Sequence, residues 1–206
     1  RKDKGTHKGI DRLEKFLQKA SRNGSKACFV LKCDIRKFFE SVNHEVLISI
    51  VEKRIKDNDA VWLIKEIIES FDPGLPIGNL TSQIFANIYL NELDQFVKQV
   101  LKVPFYLRYT DDFVIIAESK EKLENRLSEI KTFLSEKLKM ELHPNKVIFR
   151  KYRQGIDFLG YVQLPRHRIL RTRTKKRIIK KMEKGVSEQS LQSYLGVLSH
   201  ADSHEL

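Results

Sequence analysis

Between residues 27 and 150 the apolar side chains switch repeatedly between strand-like and helical spacing, and the order of those switches restricts the fold more than any composition figure. Residues 27–35 form a β-branched and aromatic run that reads as a strand. Helical spacing follows over 44–56 and 60–70, then Asp72-Pro73-Gly74 as a turn and a loop through Gly78. A long helix is predicted over 81–101, carrying Ile84, Phe85, Ile88, Phe96, Val97 and Val100. Residues 104–109 and 113–117 are strands on either side of Thr110-Asp111-Asp112 and read as a hairpin. Ser119 can cap a helix with the stripe Leu123, Leu127, Ile130, Leu134 and Leu138. Residues 140–143 and 147–150 are short strands around Pro144-Asn145. Strand, helices, strand, strand, helix, strand is the split βαβ pattern, so the fold class is α+β with a ferredoxin-like βαββαβ sheet backed by helices.

The flanks are helical or short-stranded. Ile10, Leu13, Phe16, Leu17 and Ala20 mark a helix over 8–22 that Asn23-Gly24 ends. Residues 156–164 and 168–170 are strand-like. A basic helix over 173–184 stops at Gly185, and Ser187 caps another over 188–199. At 206 residues, 41% hydrophobic and 32% charged, the chain is long and apolar enough for a real core, which excludes disorder. Its apolar runs, such as 113–117, fall far short of the roughly 20 residues of a membrane helix, and none opens the chain. No membrane partner is expected. Cys28 and Cys33 are separated along a strand at about 3.3 Å per residue, too far for a disulfide, so nothing asks for an oxidising compartment and a cytoplasmic setting is expected.

The net charge of +12 is unevenly placed. Residues 1–26 hold nine basic and three acidic side chains, residues 146–184 fourteen and two, while 27–145 is net −3. Clusters of Lys and Arg are commonly solvated faces. Two basic flanks around an acidic centre also suit a polyanion held over metal-binding carboxylates, which makes nucleic acid the favoured partner.

Asp34 ends the first central strand, and Asp111-Asp112 sits at the hairpin tip. In a βαββαβ sheet those strands are neighbours, so the carboxylates can meet at one sheet edge, as a site for two Mg²⁺ ions about 3.5–4 Å apart requires. Taken singly, Asp34 is as readily a helix cap before Arg36, and Asp111 or Asp112 a turn residue. Their joint placement behind apolar strands favours the metal reading.

These residues resemble the reverse transcriptases. Four motifs stand in that family's order: Leu31-Lys-Cys-Asp-Ile-Arg-Lys-Phe-Phe39, Gly74-Leu-Pro-Ile-Gly-Asn-Leu-Thr-Ser-Gln83, Tyr109-Thr-Asp-Asp112 and Phe158-Leu-Gly-Tyr161. The resemblance implies a polymerase palm over 27–161, the end of the fingers or a connecting helix over 1–26, and the start of a helical thumb over 162–206. It implies Asp34 and Asp111 as principal metal ligands, Asp112 assisting and the Ile35 carbonyl completing a shell, for two Mg²⁺ ions with Mn²⁺ as the alternative. Phe39 matches an aromatic steric gate against the 2′-hydroxyl. Pro76, Ile77, Gly78 and Gln83 match the segment that packs on the incoming nucleotide and template base. Lys146 falls where relatives carry a lysine near the leaving pyrophosphate, although a solvent-facing strand lysine explains it equally. Phe158, Leu159, Gly160 and Tyr161 match the primer grip. Arg171, Arg173, Lys175, Lys176, Arg177 and Lys180 would meet duplex phosphates.

Two departures carry information. Ile77 stands where most relatives have Gln, and Ser82-Gln83 where most have Ser-Pro. Both, with residues 1–7 and 194–200, resemble the diversity-generating retroelement branch, which implies an error-prone enzyme of bacterial or phage-type origin. Group II intron-like and phage-defence enzymes remain the alternatives. The expected partners are an RNA template, a DNA or RNA primer, dNTPs and an accessory protein. Since most of the fingers would precede Arg1 and the thumb would continue past Leu206, this polypeptide alone is expected to be weakly active or inactive. Outside the family, a two-metal nuclease conflicts with Phe39 and the primer-grip hairpin, and a non-catalytic nucleic-acid-binding module predicts indifference to loss of Asp111. His200 and His204 have zinc-binding spacing, but without further ligands they read as a helix end.

Overall fold

The computed structural model describes residues 4–71 and 73–201. Asp72 of the expected turn, and the His204 paired with His200 in the zinc spacing, lie outside the described residues. Two compact units are present: one gathers the residues up to Val30, Ile116–Ser119 and those from Phe149 onward, and the other holds Leu31–Ile115 and Lys120–Ile148.

The four strands β1 (Phe29–Asp34), β2 (Tyr106–Tyr109), β3 (Asp112–Ala117) and β4 (Ile148–Lys151) lie in the order β2-β3-β1-β4. This is the ferredoxin-like order expected from the sequence, with β1 and β3 at the centre. β2 and β3 pair antiparallel, Tyr106 opposite Ile115 and Tyr109 opposite Asp112, which leaves Thr110 and Asp111 as a two-residue turn. β1 and β3 are buried almost throughout, as residues of central strands covered by helices must be.

The first helix, α1 (Thr6–Ala20), belongs to the first unit; the second holds α2 (His44–Glu52), α3 (Asn58–Glu69), α4 (Leu80–Gln95) and α5 (Lys120–Leu138). Asn43, Asp57 and Asn79 cap α2, α3 and α4 by accepting from the N–H groups of Val46, Ala60 and Thr81. Leu47, Ile50, Phe85, Tyr89, Leu90, Leu93, Leu123, Ile130 and Leu134 close the core of this unit. Tyr89 donates its hydroxyl at 2.6 Å to the Leu138 carbonyl and accepts at 3.4 Å from the Asn43 N–H, so one buried side chain joins α4 to the end of α5 and the start of α2.

The long helix expected over 81–101 is continuous only to Gln95. A π-turn over Phe96–Val100 follows, where Phe96 stacks on Phe133 at 4.1 Å. The wider turn changes which side chains face inward. Val97 is buried, whereas Val100, expected inside, is 66% exposed, and so is Ile84 at 51%. Residues 140–143 form no strand; Leu142 makes a single bridge to Ile35, and a 3₁₀ turn over Pro144–Lys146 precedes β4. Residues 36–41 are turns, so Asp34 caps no helix.

In the first unit, α1 (Thr6–Ala20) buries Ile10, Leu13 and Leu17. β5 (Ile156–Phe158), β6 (Tyr161–Gln163) and β7 (Arg168–Leu170) form an antiparallel sheet. Between Phe158 and Tyr161, Leu159 at φ 52° and Gly160 at φ 88° make the left-handed two-residue turn that suits strand twist. Two helices follow, α6 (Thr172–Met182) and α7 (Glu188–Leu198). Arg168, 8% exposed, binds Asp11 at 2.9 Å and Glu14 at 2.7 Å on α1 and Gln163 at 3.0 Å. Among the described residues no helix is long and apolar enough to cross a membrane.

Candidate active site

β1 delivers Asp34, the β2–β3 turn Asp111 and the first position of β3 Asp112, because sheet neighbours bring their ends together. The backbone secures the meeting: the Ile35 N–H donates at 3.3 Å to the Asp111 carbonyl. On its other side the segment is held by the Arg36 N–H on the Glu141 carbonyl at 2.9 Å and the His143 N–H on the Asp34 carbonyl at 2.8 Å. Asp34 is 8% exposed.

A cation already sits against these carboxylates. Lys146 donates from Nζ at 2.9 Å to both Asp34 carboxylate oxygens, and that bond, with the negative charges of Asp34, Asp112 and Asp111, raises its pKa above the usual lysine value. Asp112 is pushed up by burial and by the charges of Asp34 and Asp111, against the pull of Lys32, whose Nζ lies 3.7 Å from Asp112 Oδ2. Asp112 Oδ1 is buried without a hydrogen-bond partner. A buried carboxylate oxygen without a donor is costly, and crowded like charges add to the cost. Both are relieved by an oxygen-seeking divalent cation, so the donor set fits Mg²⁺. Among the described residues no three acidic, histidine or cysteine side chains converge as a ready-made cage.

The turn before Asp111 is unusual. Thr110 is β-branched yet adopts φ 53°, a conformation that costs about 1–3 kcal/mol and persists only when its surroundings impose it. Its Oγ1 lies 2.8 Å from Asp111 Oδ1 and 2.7 Å from the Tyr109 carbonyl. From the neighbouring strand position, Arg108 Nη1 donates at 2.8 Å to the Thr110 carbonyl. The rest of that guanidinium binds Asp94 on α4, Nε to Oδ1 at 2.8 Å and Nη2 to Oδ2 at 2.6 Å.

Phe39 is half-buried and meets Phe38 edge-on at 5.2 Å. Its carbonyl accepts from the Leu75 N–H at 2.8 Å, and His44 Nε2 lies 2.7 Å from the Gly74 carbonyl, so residues 74–75 are pinned beneath 39–40. A Cβ on Gly74 would fall 2.2 Å from the Phe39 carbonyl oxygen, so the two backbone segments approach closely there. Gly78 has open space around it, and its φ of +96° alone calls for glycine. Pro76, Ile77 and Gln83 are exposed, Ile77 at 83%.

Asp34, Ile35, Asp111, Asp112 and Lys146 are therefore brought together in one unit, which also holds Phe39 and residues 76–83. The remaining sequence candidates lie in the other unit. Phe158 and Tyr161 point into their own core, and the Tyr161 hydroxyl donates to the Val197 carbonyl at 3.0 Å, leaving the partly exposed Leu159-Gly160 turn to face outward. On α6, Arg173, Lys176, Arg177 and Lys180 are exposed and Lys175 is partly covered. Arg171 is committed to Asp157, with Nε donating to its carboxylate at 2.7 Å. His200 stacks on His7 at 3.9 Å. Lys32, Asp94 and Arg108 escaped the sequence reading; the visible signal was a charged residue inside an otherwise apolar strand at 32 and at 108.

Residues 1–163 match the family model described as reverse transcriptase (RNA-dependent DNA polymerase). The group II intron-encoded protein LtrA of Lactococcus lactis is 26% identical, over 70% of this chain and 36% of its own length. Protein YkfC of Escherichia coli is 24% identical, over 85% and 55%. The retron Ec73 reverse transcriptase of Escherichia coli is 32% identical, over 47% and 34%. Among solved structures, telomerase from Candida tropicalis with a fragment of telomeric RNA superposes with a TM-score of 0.61 at 14% identity, over 75% of this chain and 31% of that one, which supports the fold. The chain spans about half or less of the length of these proteins. A family match over most of the chain, a ferredoxin-like palm and the joined aspartates agree: the chain belongs to the reverse transcriptase family.

Proposed function

We propose that this chain carries the polymerising centre of an RNA-directed DNA polymerase, extending a primer 3′ end on an RNA template with dNTPs and releasing pyrophosphate. The observation that carries the reading is that Asp34 and the Asp111–Asp112 pair end neighbouring strands at one side of the sheet, tied by the Ile35 N–H on the Asp111 carbonyl, with a buried oxygen on Asp112 that no donor serves. Asp34, Asp111, Asp112 and the Ile35 carbonyl would hold two Mg²⁺ ions, or Mn²⁺ in their place. Such ions supply a lowered pKa for an attacking hydroxyl and neutralise triphosphate charge.

The chain's own groups do the rest. The Ile35 N–H on the Asp111 carbonyl fixes the spacing of the two strands that present the carboxylates. Lys32 works against the burial and the neighbouring negative charges that raise the Asp112 pKa. Lys146, more than half exposed, can release Asp34 and offer its ammonium to a phosphate oxygen, where it could also give up a proton to the leaving pyrophosphate. Phe39, held over Gly74–Leu75, excludes a 2′-hydroxyl. The Leu159-Gly160 turn would support the primer, and the exposed basic residues of α6 its phosphates. The test is primer extension on RNA by the full-length protein: Asp111→Asn should abolish incorporation while leaving template–primer binding within about twofold, and unchanged incorporation would reject the polymerase reading.

The finer reading is an error-prone retroelement enzyme. Ile77 offers no amide and is 83% exposed, so it can pack on a template base without constraining it by hydrogen bonds. Ile77→Gln should lower misincorporation opposite template adenine; equal error rates would reject this role. Similarity to the group II intron-encoded protein LtrA favours a group II intron-like enzyme as the second reading, and that reading predicts the same error rate for both proteins.

A further inference from the structure

The catalytic turn is held by more than its own strands. Thr110 sits at φ 53°, where a β-branched residue does not settle unaided, and its hydroxyl is occupied locally with Asp111 or Tyr109. The side chain that holds the turn is Arg108 of β2, whose Nη1 donates to the Thr110 carbonyl at 2.8 Å and whose own anchor lies outside the hairpin. Its side chain is only 6% exposed. A guanidinium is a planar fork, so fixing two of its nitrogens fixes the third. Asp94 does this, accepting from Nε at 2.8 Å and from Nη2 at 2.6 Å. The Tyr106 hydroxyl donates to the same Asp94 oxygen at 2.8 Å and orients the carboxylate in turn.

The consequence is geometric. The peptide joining Thr110 to Asp111 has its carbonyl tied to a rigid fork rooted on α4, and the next carbonyl, that of Asp111, accepts from the Ile35 N–H. With both flanking peptide planes fixed, the Cα–Cβ bond of Asp111, from which its carboxylate projects, is fixed as well. We infer that Asp94 and Arg108 are positioning residues that aim the Asp111 carboxylate through the Thr110 carbonyl, with Tyr106 orienting Asp94. This rests on the polymerase reading of the aspartate cluster. An ordinary buried ion pair would stabilise the hairpin against α4 and do nothing more; the bond from Arg108 Nη1 to the turn carbonyl is what exceeds that role.

Arg108→Lys separates the two, because an ammonium can pair with Asp94 but lacks the planar third donor aimed at the turn. In the full-length protein, with RNA template and annealed primer, single-nucleotide incorporation should lose about 10- to 100-fold in kcat, the scale of a small misplacement of a reacting group. The dNTP KM and template–primer Kd should stay within about twofold. Mn²⁺ binding without nucleic acid, followed by electron paramagnetic resonance, should weaken about tenfold. Asp94→Asn, which keeps the shape but loses the bidentate acceptor, should shift kcat and Mn²⁺ binding in the same direction, and serves if the lysine variant does not fold. The inference is overturned if the folded variants keep wild-type kcat and Mn²⁺ affinity. It is equally overturned if activity falls only with burst amplitude, the surviving sites turning over at the wild-type rate. If wild type neither incorporates nucleotide nor binds Mn²⁺, the polymerase reading itself fails and this inference with it; if wild type does both and the variants match it, only the positioning role fails.

Discussion

At Gly74 a single hydrogen atom makes room for the backbone that supports Phe39. The nearest atoms to an added Cβ are the carbonyl oxygens of Phe39 at 2.2 Å and Glu40 at 2.7 Å, both main chain, so neither can rotate away. The residue's φ of +65° adds about 1–2 kcal/mol for any L side chain. Separating the segments would also break the Leu75 to Phe39 hydrogen bond, worth about 1 kcal/mol. Gly74→Ala should therefore lower unfolding free energy by at least about 2 kcal/mol in urea titrations; a change below about 0.5 kcal/mol would mean that the segment is not packed there. The two thiols give a pH prediction. Burial raises Cys28 to about 11 and Cys33 to about 12 from the ordinary 9.0. Because both ionise more readily unfolded than folded, their contribution to stability is complete below pH 9 and is lost as pH climbs through the folded values. Neither should react with a thiol reagent at pH 8 until denaturant is added; rapid labelling of the native protein would contradict this. At this scale the aspartates were legible because polar residues end apolar strands, while Asp94 was not, since in the sequence one helical acid looks like any other until the hydrogen bonds of the hairpin assign it Arg108 as partner.

Tyr89 shows how elements depend on one another's ends. The last carbonyls of a helix and the first N–H groups of the next lack internal partners. Tyr89 serves one of each, Leu138 at the end of α5 and Asn43 before α2, from inside a core where water cannot replace it. Tyr89→Phe keeps the ring and strands the carbonyl, which should cost about 1–3 kcal/mol. Hydrogen exchange should rise first at the start of α2, where the Asn43 N–H loses its acceptor; unaltered exchange there and unaltered stability would show the bonds to be dispensable. Hairpins, the Ser187 cap and the α5 stripe were readable because each rests on spacing within one segment. The π-turn at Phe96–Val100 was not: it opens on Phe96, which lies flat against Phe133 of α5, and apolar periodicity along 81–101 carries no trace of a partner in another element. The failed strand at 140–143 has the same origin, a pairing with β1 that ends after the Ile35–Leu142 bridge.

For the whole molecule, the excess of positive charge gains meaning once side chains are sorted by what they touch. The +12 belongs to the flanks, and within the C-terminal flank the basic residues are not equivalent. Arg168 is buried among Asp11, Glu14 and Gln163, and Arg171 is bound to Asp157, so these charges are balanced inside their own unit. Arg173, Lys176, Arg177 and Lys180 stand exposed on α6. A counterion is released for each phosphate that such a side chain neutralises, which makes log K fall with log salt by about 0.7–0.9 per contact. If the proposed template–primer duplex lies along α6, replacing those four by Gln should flatten the slope of log K against log salt by about 3. Arg171→Gln should leave the slope within about 0.3 of wild type and lower thermal stability instead, because its partner is a carboxylate of the same chain and not a phosphate. The experiment is a fluorescence anisotropy titration of labelled RNA–DNA duplex from 50 to 300 mM KCl. An unchanged slope in the fourfold variant would remove α6 from the interface and leave the basic residues of the N-terminal flank as the phosphate contacts. A flattened slope in Arg171→Gln alone would mean that the Asp157 pair opens to receive the duplex.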